Sequence, residues 1–75
     1  MICYEILPPL AACGPEVDTL ESALTLGASH GDGTRIITWS VEPNLPDHKP
    51  ALVYRSCAMR VYRDGAWETI NIHGL

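Results

Sequence analysis

An Asp64-Gly65 pair stands between two runs of strand-forming residues, and it constrains the chain more than any other local feature. An Asp-Gly dipeptide in that setting marks a two-residue type I′ hairpin, because both turn positions need a positive φ. The turn fixes a register in which Arg63 faces Ala66, Tyr62 faces Trp67, Val61 faces Glu68, Arg60 faces Thr69 and Met59 faces Ile70. With period-two alternation, Cys57, Met59, Val61, Ile70 and Ile72 share one face. Arg60, Tyr62, Trp67 and Thr69 share the other.

Upstream of the hairpin, Ile2 to Leu7 alternates as a strand that Pro8-Pro9 ends, since proline cannot donate to a ladder. Residues 8–15 read as a connection. Asp18-Thr19-Leu20-Glu21 matches a capping box with Asp18 at the cap, and Pro15 offers an earlier helix start. Val17, Leu20, Ala23, Leu24, Gly27 and Ala28 follow the spacing of a buried helical stripe, and Gly31 is the expected stop. Arg35 to Glu42 reads as a second strand with Ile37, Trp39 and Val41 facing the core. Pro43 to Pro50 reads as a stiff loop. Ala51 to Arg63 reads as one long strand, or two with a bulge near Arg55-Ser56.

The expected fold class is therefore α+β. The order is β-α-β-β-β: a three- to four-stranded antiparallel sheet with one helix packed across one face. At 75 residues the chain is expected to form a single globular domain over residues 1–75. In this reading the helix covers Ile37, Trp39, Met59, Val61 and Ile70. The face carrying Arg60, Tyr62 and Trp67 is left open.

Charge narrows the function classes. The formal net charge is −4. Residues 1–34 hold five acids and no Lys or Arg, whereas residues 35–75 hold five Lys or Arg against four acids. Proteins that grip nucleic acid gain affinity by neutralising phosphates, so this balance argues against direct nucleic-acid binding and suits a basic protein partner. Cys3, Cys13 and Cys57 form an odd set with no C-x-x-C pair, which reads as reduced thiols in a cytoplasmic protein. Leu10-Ala11-Ala12-Cys13 mimics a lipoprotein cleavage box. The stretch before it lacks a basic start and is broken by two prolines, so it is not read as a signal, and no run is long enough for a membrane span.

The candidate contact residues are Arg60, Tyr62 and Trp67, with Tyr54 beside them, because Tyr, Trp and Arg dominate binding hot spots. The plainer reading of Tyr62 and Trp67 is a cross-strand pair that staples the hairpin. Glu16, Asp18 and Glu21 form a second candidate patch, whose plainer reading is ordinary helix-start chemistry. His30, His48, His73 and the cysteines lack metal-site spacing, and no cofactor motif is present. Cys57 and His73 come nearest to a nucleophile and base, yet the expected hairpin points them to opposite faces, and Cys57 reads as a small core residue. No enzyme is expected.

In size, acidity and strand-helix-strand organisation, the chain resembles small phage-encoded inhibitors, among them the anti-CRISPR proteins. The resemblance is one of format and transfers no residue role. It implies a non-catalytic inhibitor that docks on a basic, nucleic-acid-handling host complex. The alternative is a small accessory or toxin–antitoxin-type domain that homodimerises through a sheet edge.

Overall fold

The computed structural model describes residues 1–44 and 51–70. Five strands and one helix follow in the order β1 (Ile2–Leu7), β2 (Glu16–Val17), α1 (Leu20–Ser29), β3 (Arg35–Asn44), β4 (Ala51–Arg63) and β5 (Ala66–Ile70). The strands form one antiparallel sheet ordered β2-β1-β3-β4-β5. The α+β class and the single helix on one face agree with the expectation from sequence. The additional strand is β2, two residues long, which pairs Tyr4 with Val17 and Glu5 with Glu16.

The hairpin is as the Asp-Gly pair predicts. Asp64 and Gly65 have φ of 51° and 79°. Arg63–Ala66, Tyr62–Trp67, Val61–Glu68, Arg60–Thr69 and Met59–Ile70 are the observed pairs. The turn is tied to the helix exit, where the Asp64 amide donates to Asp32 Oδ1 at 3.1 Å. Between β3 and β4 the register shifts once. Thr38 pairs with Ala58 and Trp39 with Ser56, which leaves Cys57 as the extra residue of a bulge. That is one position beyond Arg55-Ser56, and it changes the reading of Cys57. The thiol is exposed instead of filling the core. Its predicted neighbours Ile72 and His73, and residues 45–50 of the predicted loop with His48, lie outside the described residues. Pro43 and Asn44, expected in that loop, belong to β3.

The helix starts one residue later than the capping-box reading. Thr19 is the cap, in extended conformation, and its Oγ1 accepts from the Ser22 amide at 3.2 Å. The physical reason lies just upstream. Pairing of Glu16 and Val17 with β1 keeps the backbone extended where Pro15 would start a helix, and Asp18 links that strand to the Thr19 cap. The helix ends at Ser29. Gly31 follows at φ 85° and its amide donates to Ala28 O at 3.2 Å, the left-handed exit expected of glycine.

The core is small. Ile6, Ala23 and Ile36 are fully buried, with Tyr4, Val17, Leu24 and Trp67 packed around them. Burying Ile6 and Ile36 contributes roughly 1.5–3 kcal/mol each. The contacts of Trp67 correct the predicted choice of face. A Cβ placed on Gly27 would lie 2.8 Å from Trp67 Cη2 and 3.3 Å from Ile36 Cδ1, so helix and sheet touch through a glycine. The helix thus sits on the face of Ile6, Ile36, Tyr62 and Trp67. Ile37, Trp39, Met59, Val61 and Ile70 lie on the face opposite the helix.

One turn departs from its usual chemistry. Ala11 N donates to Pro8 O at 3.0 Å, and Leu10 has φ 66°. These are the marks of a type II turn with Pro9 and Leu10 at its centre, a place where glycine is the ordinary second residue. The Leu10 side chain is fully exposed.

Candidate functional surface

The surface opposite the helix is assembled from four strands. Period-two alternation and the pairing register put Cys3, Glu5 and Leu7 of β1 on it, beside Ile37, Trp39 and Val41 of β3. β4 adds Met59 and Val61, and past the bulge Tyr54 and Leu52. β5 adds Glu68 and Ile70. Cys3, Leu7, Val41 and Val61 are buried. Ile37, Trp39 and Met59 are half-buried, whereas Leu52, Tyr54 and Ile70 are exposed.

Trp39 is the pivot of this face. Its ring meets Tyr54 edge-on, with centroids 6.3 Å apart and planes at 83°. Its Nε1 donates to Glu5 Oε1 at 3.1 Å, which satisfies the indole and fixes its tilt. Glu5 Oε2 accepts from the Gly14 amide, and Arg35 Nη2 donates to Ala11 O at 3.0 Å, so the 8–15 connection borders the face at the β1 end. The centre of the face holds aromatic and aliphatic side chains. Its charges, Glu5, Glu16, Arg35, Arg63 and Glu68, lie at its margins. An uncharged centre rich in Trp, Tyr and Met inside a polar rim is the anatomy of a protein interface.

The residues singled out from sequence are divided between the two sides. Tyr62 and Trp67 do pair, at 4.9 Å between centroids, but on the helix side, where Trp67 fills the slot at Gly27. Arg60 is half-buried beside them and donates to Thr38 Oγ1 at 3.0 Å. Tyr54 lies on the opposite face, apart from this group. Glu16 is in β2, Asp18 precedes the cap and only Glu21 is within the first helical turn; all three are exposed. Trp39 was legible as an alternating aromatic, but alternation alone assigned it to the core.

Glu16 has a second role. The Cys3 thiol donates to Glu16 Oε2 at 3.2 Å. Burial, then the hydrogen bond and the negative charges of Glu16, Asp18 and Glu5, push the Cys3 thiol above its ordinary value of 9.0. The fold therefore holds this proton more tightly than the unfolded chain does. Its stabilising effect is complete below pH 9 and is lost as pH rises from there toward the folded value. Urea midpoints at pH 7, 9 and 10.5 should fall less steeply for Cys3→Ala than for its parent, both in a Cys13→Ser, Cys57→Ser background. Parallel declines would show that Cys3 does not contribute.

The described residues contain no group of three or more His, Cys, Asp or Glu placed to hold a metal ion. No described helix is long and apolar enough to cross a membrane. The chain matches no protein-family model, and comparison with the curated proteins and the solved structures found no significant match.

Proposed function

We propose that this chain is a non-catalytic, cytoplasmic protein-binding module that docks on a basic surface of another protein, as a small inhibitor of a nucleic-acid-handling complex would. The observation that carries this reading is the sign of the accessible charge. Among the described residues seven acids are exposed: Glu16, Asp18, Glu21, Asp32, Glu42, Asp64 and Glu68. Arg55 and Arg63 are the exposed bases, while Arg35 and Arg60 are half-buried and donate to Ala11 O and Thr38 Oγ1. Among the described residues, the exposed charge is more acidic than the composition. Such a field speeds encounter with a basic partner and repels nucleic acid. The unpaired thiols of Cys3, Cys13 and Cys57 fit a reducing compartment.

The test is affinity capture from bacterial lysate with mass-spectrometric identification, then a salt titration with the purified captured protein. The comparison is a Glu16→Gln, Asp18→Lys, Glu21→Lys variant; glutamine at 16 keeps an acceptor for Cys3. At low salt the variant should associate about tenfold more slowly, with the difference collapsing in high salt. Capture of the same proteins at the same rate by both forms would overturn the reading.

A further inference from the structure

Among the described residues, two that are not glycine have a positive φ, Asp64 at 51° and Leu10 at 66°. Asp64 belongs to a type I′ turn, which requires that conformation, and aspartate tolerates it. Leucine does not, because its Cβ crowds the following carbonyl oxygen. Glycine would serve the Pro8–Ala11 turn without that strain. The leucine side chain gives the fold nothing in return, since it is 104% exposed. A strained residue that its own fold does not use points to a use outside it.

An exposed leucine on a pliable loop would be ordinary. This turn is fastened on three sides. The Ala11 amide donates to Pro8 O at 3.0 Å, and Arg35 Nη2 donates to Ala11 O at 3.0 Å. Pro9 Cβ and Cγ lie 3.7 Å from where a Cβ on Gly33 would stand, so the turn rests against the helix exit. The Ile6 amide closes the connection onto Pro15 O at 2.9 Å. Two prolines directly before Leu10 restrict the backbone further.

We infer that Leu10 is a binding anchor, whose side chain enters an apolar pocket on the partner protein, bordered by Lys or Arg side chains that meet Asp32 and Asp64. The inference rests on the reading above, that the partner is a protein with a basic surface. A side chain already held outward by a fixed turn loses little freedom on docking, so more of its burial appears as affinity. The charges at this end of the sheet set the chemistry of the pocket's border. Gly33, against which Pro9 rests, follows Asp32 in the chain, and Asp32 Oδ1 accepts from the Asp64 amide at 3.1 Å. Both carboxylates are exposed. Arg63 is the exposed base at the hairpin, and Arg35 is engaged with Ala11 O. A single leucine beside two carboxylates does not suit a membrane, where anionic headgroups would repel the acids and one side chain buries little area.

Leu10→Gly in the full chain separates this role from a structural one. Its urea midpoint should equal or exceed that of the wild type, because glycine relieves the turn. The purified protein captured in the experiment above should dissociate from it roughly tenfold faster, with association within about twofold of wild type, since losing an anchor acts mainly on dissociation. Leu10→Asn suits the left-handed backbone without glycine's added freedom and should dissociate as fast. Ile2→Ala, an exposed apolar change at the other end of β1, should leave dissociation unaltered. A lower midpoint for Leu10→Gly would show that the leucine serves the fold, and unchanged dissociation would show that no pocket holds it; either overturns the anchor. The two readings fail separately. Faster dissociation of Leu10→Gly from a partner indifferent to the Glu16, Asp18 and Glu21 changes keeps the anchor and removes the basic surface. Slower association of that charge variant, with dissociation of Leu10→Gly unchanged, does the reverse. Capture of no protein by the wild type overturns both.

Discussion

Gly14→Ala should cost roughly 3 kcal/mol or more of folding free energy, out of the about 4–11 kcal/mol expected for a domain of this length. A Cβ on Gly14 would overlap the carbonyl oxygen of Ile6. That atom is main chain in a paired strand, so it cannot rotate aside as a side chain would. The connection must lift off β1 instead. Lifting breaks the bond from the Ile6 amide to Pro15 O, 2.9 Å long, and strains the Tyr4–Val17 and Glu5–Glu16 pairs that follow. Val17 then leaves the core. Urea denaturation should show a much lower midpoint with little change in slope, since the surface exposed on complete unfolding is nearly the same. A variant within about 0.5 kcal/mol of the parent would show that the close approach at Gly14 is not required.

Gly27→Leu should be comparably damaging, by roughly 3 kcal/mol, and clearly more so than Gly27→Ala. Alanine adds about 1 kcal/mol of helix propensity, which offsets part of the cost of shifting the Trp67 ring that its Cβ would meet. Leucine brings three more carbons into a slot already filled by the indole and by Ile36 Cδ1. The helix must then separate from the sheet over Ile6 and Ile36. The diagnostic measurement is a double-mutant cycle. In a Trp67→Ala background the slot is open, so the leucine penalty should shrink by more than 1 kcal/mol. Additive effects would mean that Trp67 and Gly27 do not share the space the structure gives them.

That glycine also shows where reading the sequence stopped short. Elements with their own local chemistry were legible: the Asp64-Gly65 turn and its register, the Pro8-Pro9 strand end, the buried helical stripe and the Gly31 exit. Two decisions made by tertiary contacts were not. Thr19 caps the helix in place of Asp18, and Glu16 and Val17 just before it are held in a strand too short to show any alternation. The helix lies on the Ile36 side, not the Ile37 side, because Ala23 and Gly27 are small enough to receive Trp67. Adjacent pairs such as Ile6-Leu7 and Ile36-Ile37 supply apolar side chains to both faces. Alternation therefore could not choose between them. The one available signal was a glycine one turn below Ala23 on the stripe, a marker of close approach. The same ambiguity governs the candidate surface: alternation alone places Arg60, Tyr62 and Trp67 on the open side and Trp39 and Met59 in the core, and the fold reverses both.

The sheet order has a consequence for the path by which the chain folds. β4 and β5 are joined by two residues and can pair almost at once, whereas β1 meets β3 only after residues 8–34 have intervened. Loop closure of that span is an entropic cost that precedes any reward from contacts, so β1 is expected to dock late. Ile6 and Ile36 come together only in that step, and the core does not exist before it. Until then the β3–β4–β5 meander has a bare inner edge along Arg35 to Ser40 and apolar side chains on both of its faces. A meander formed before β1 docks would therefore be the species of this protein most prone to aggregate, with a lifetime set by how quickly the first strand returns.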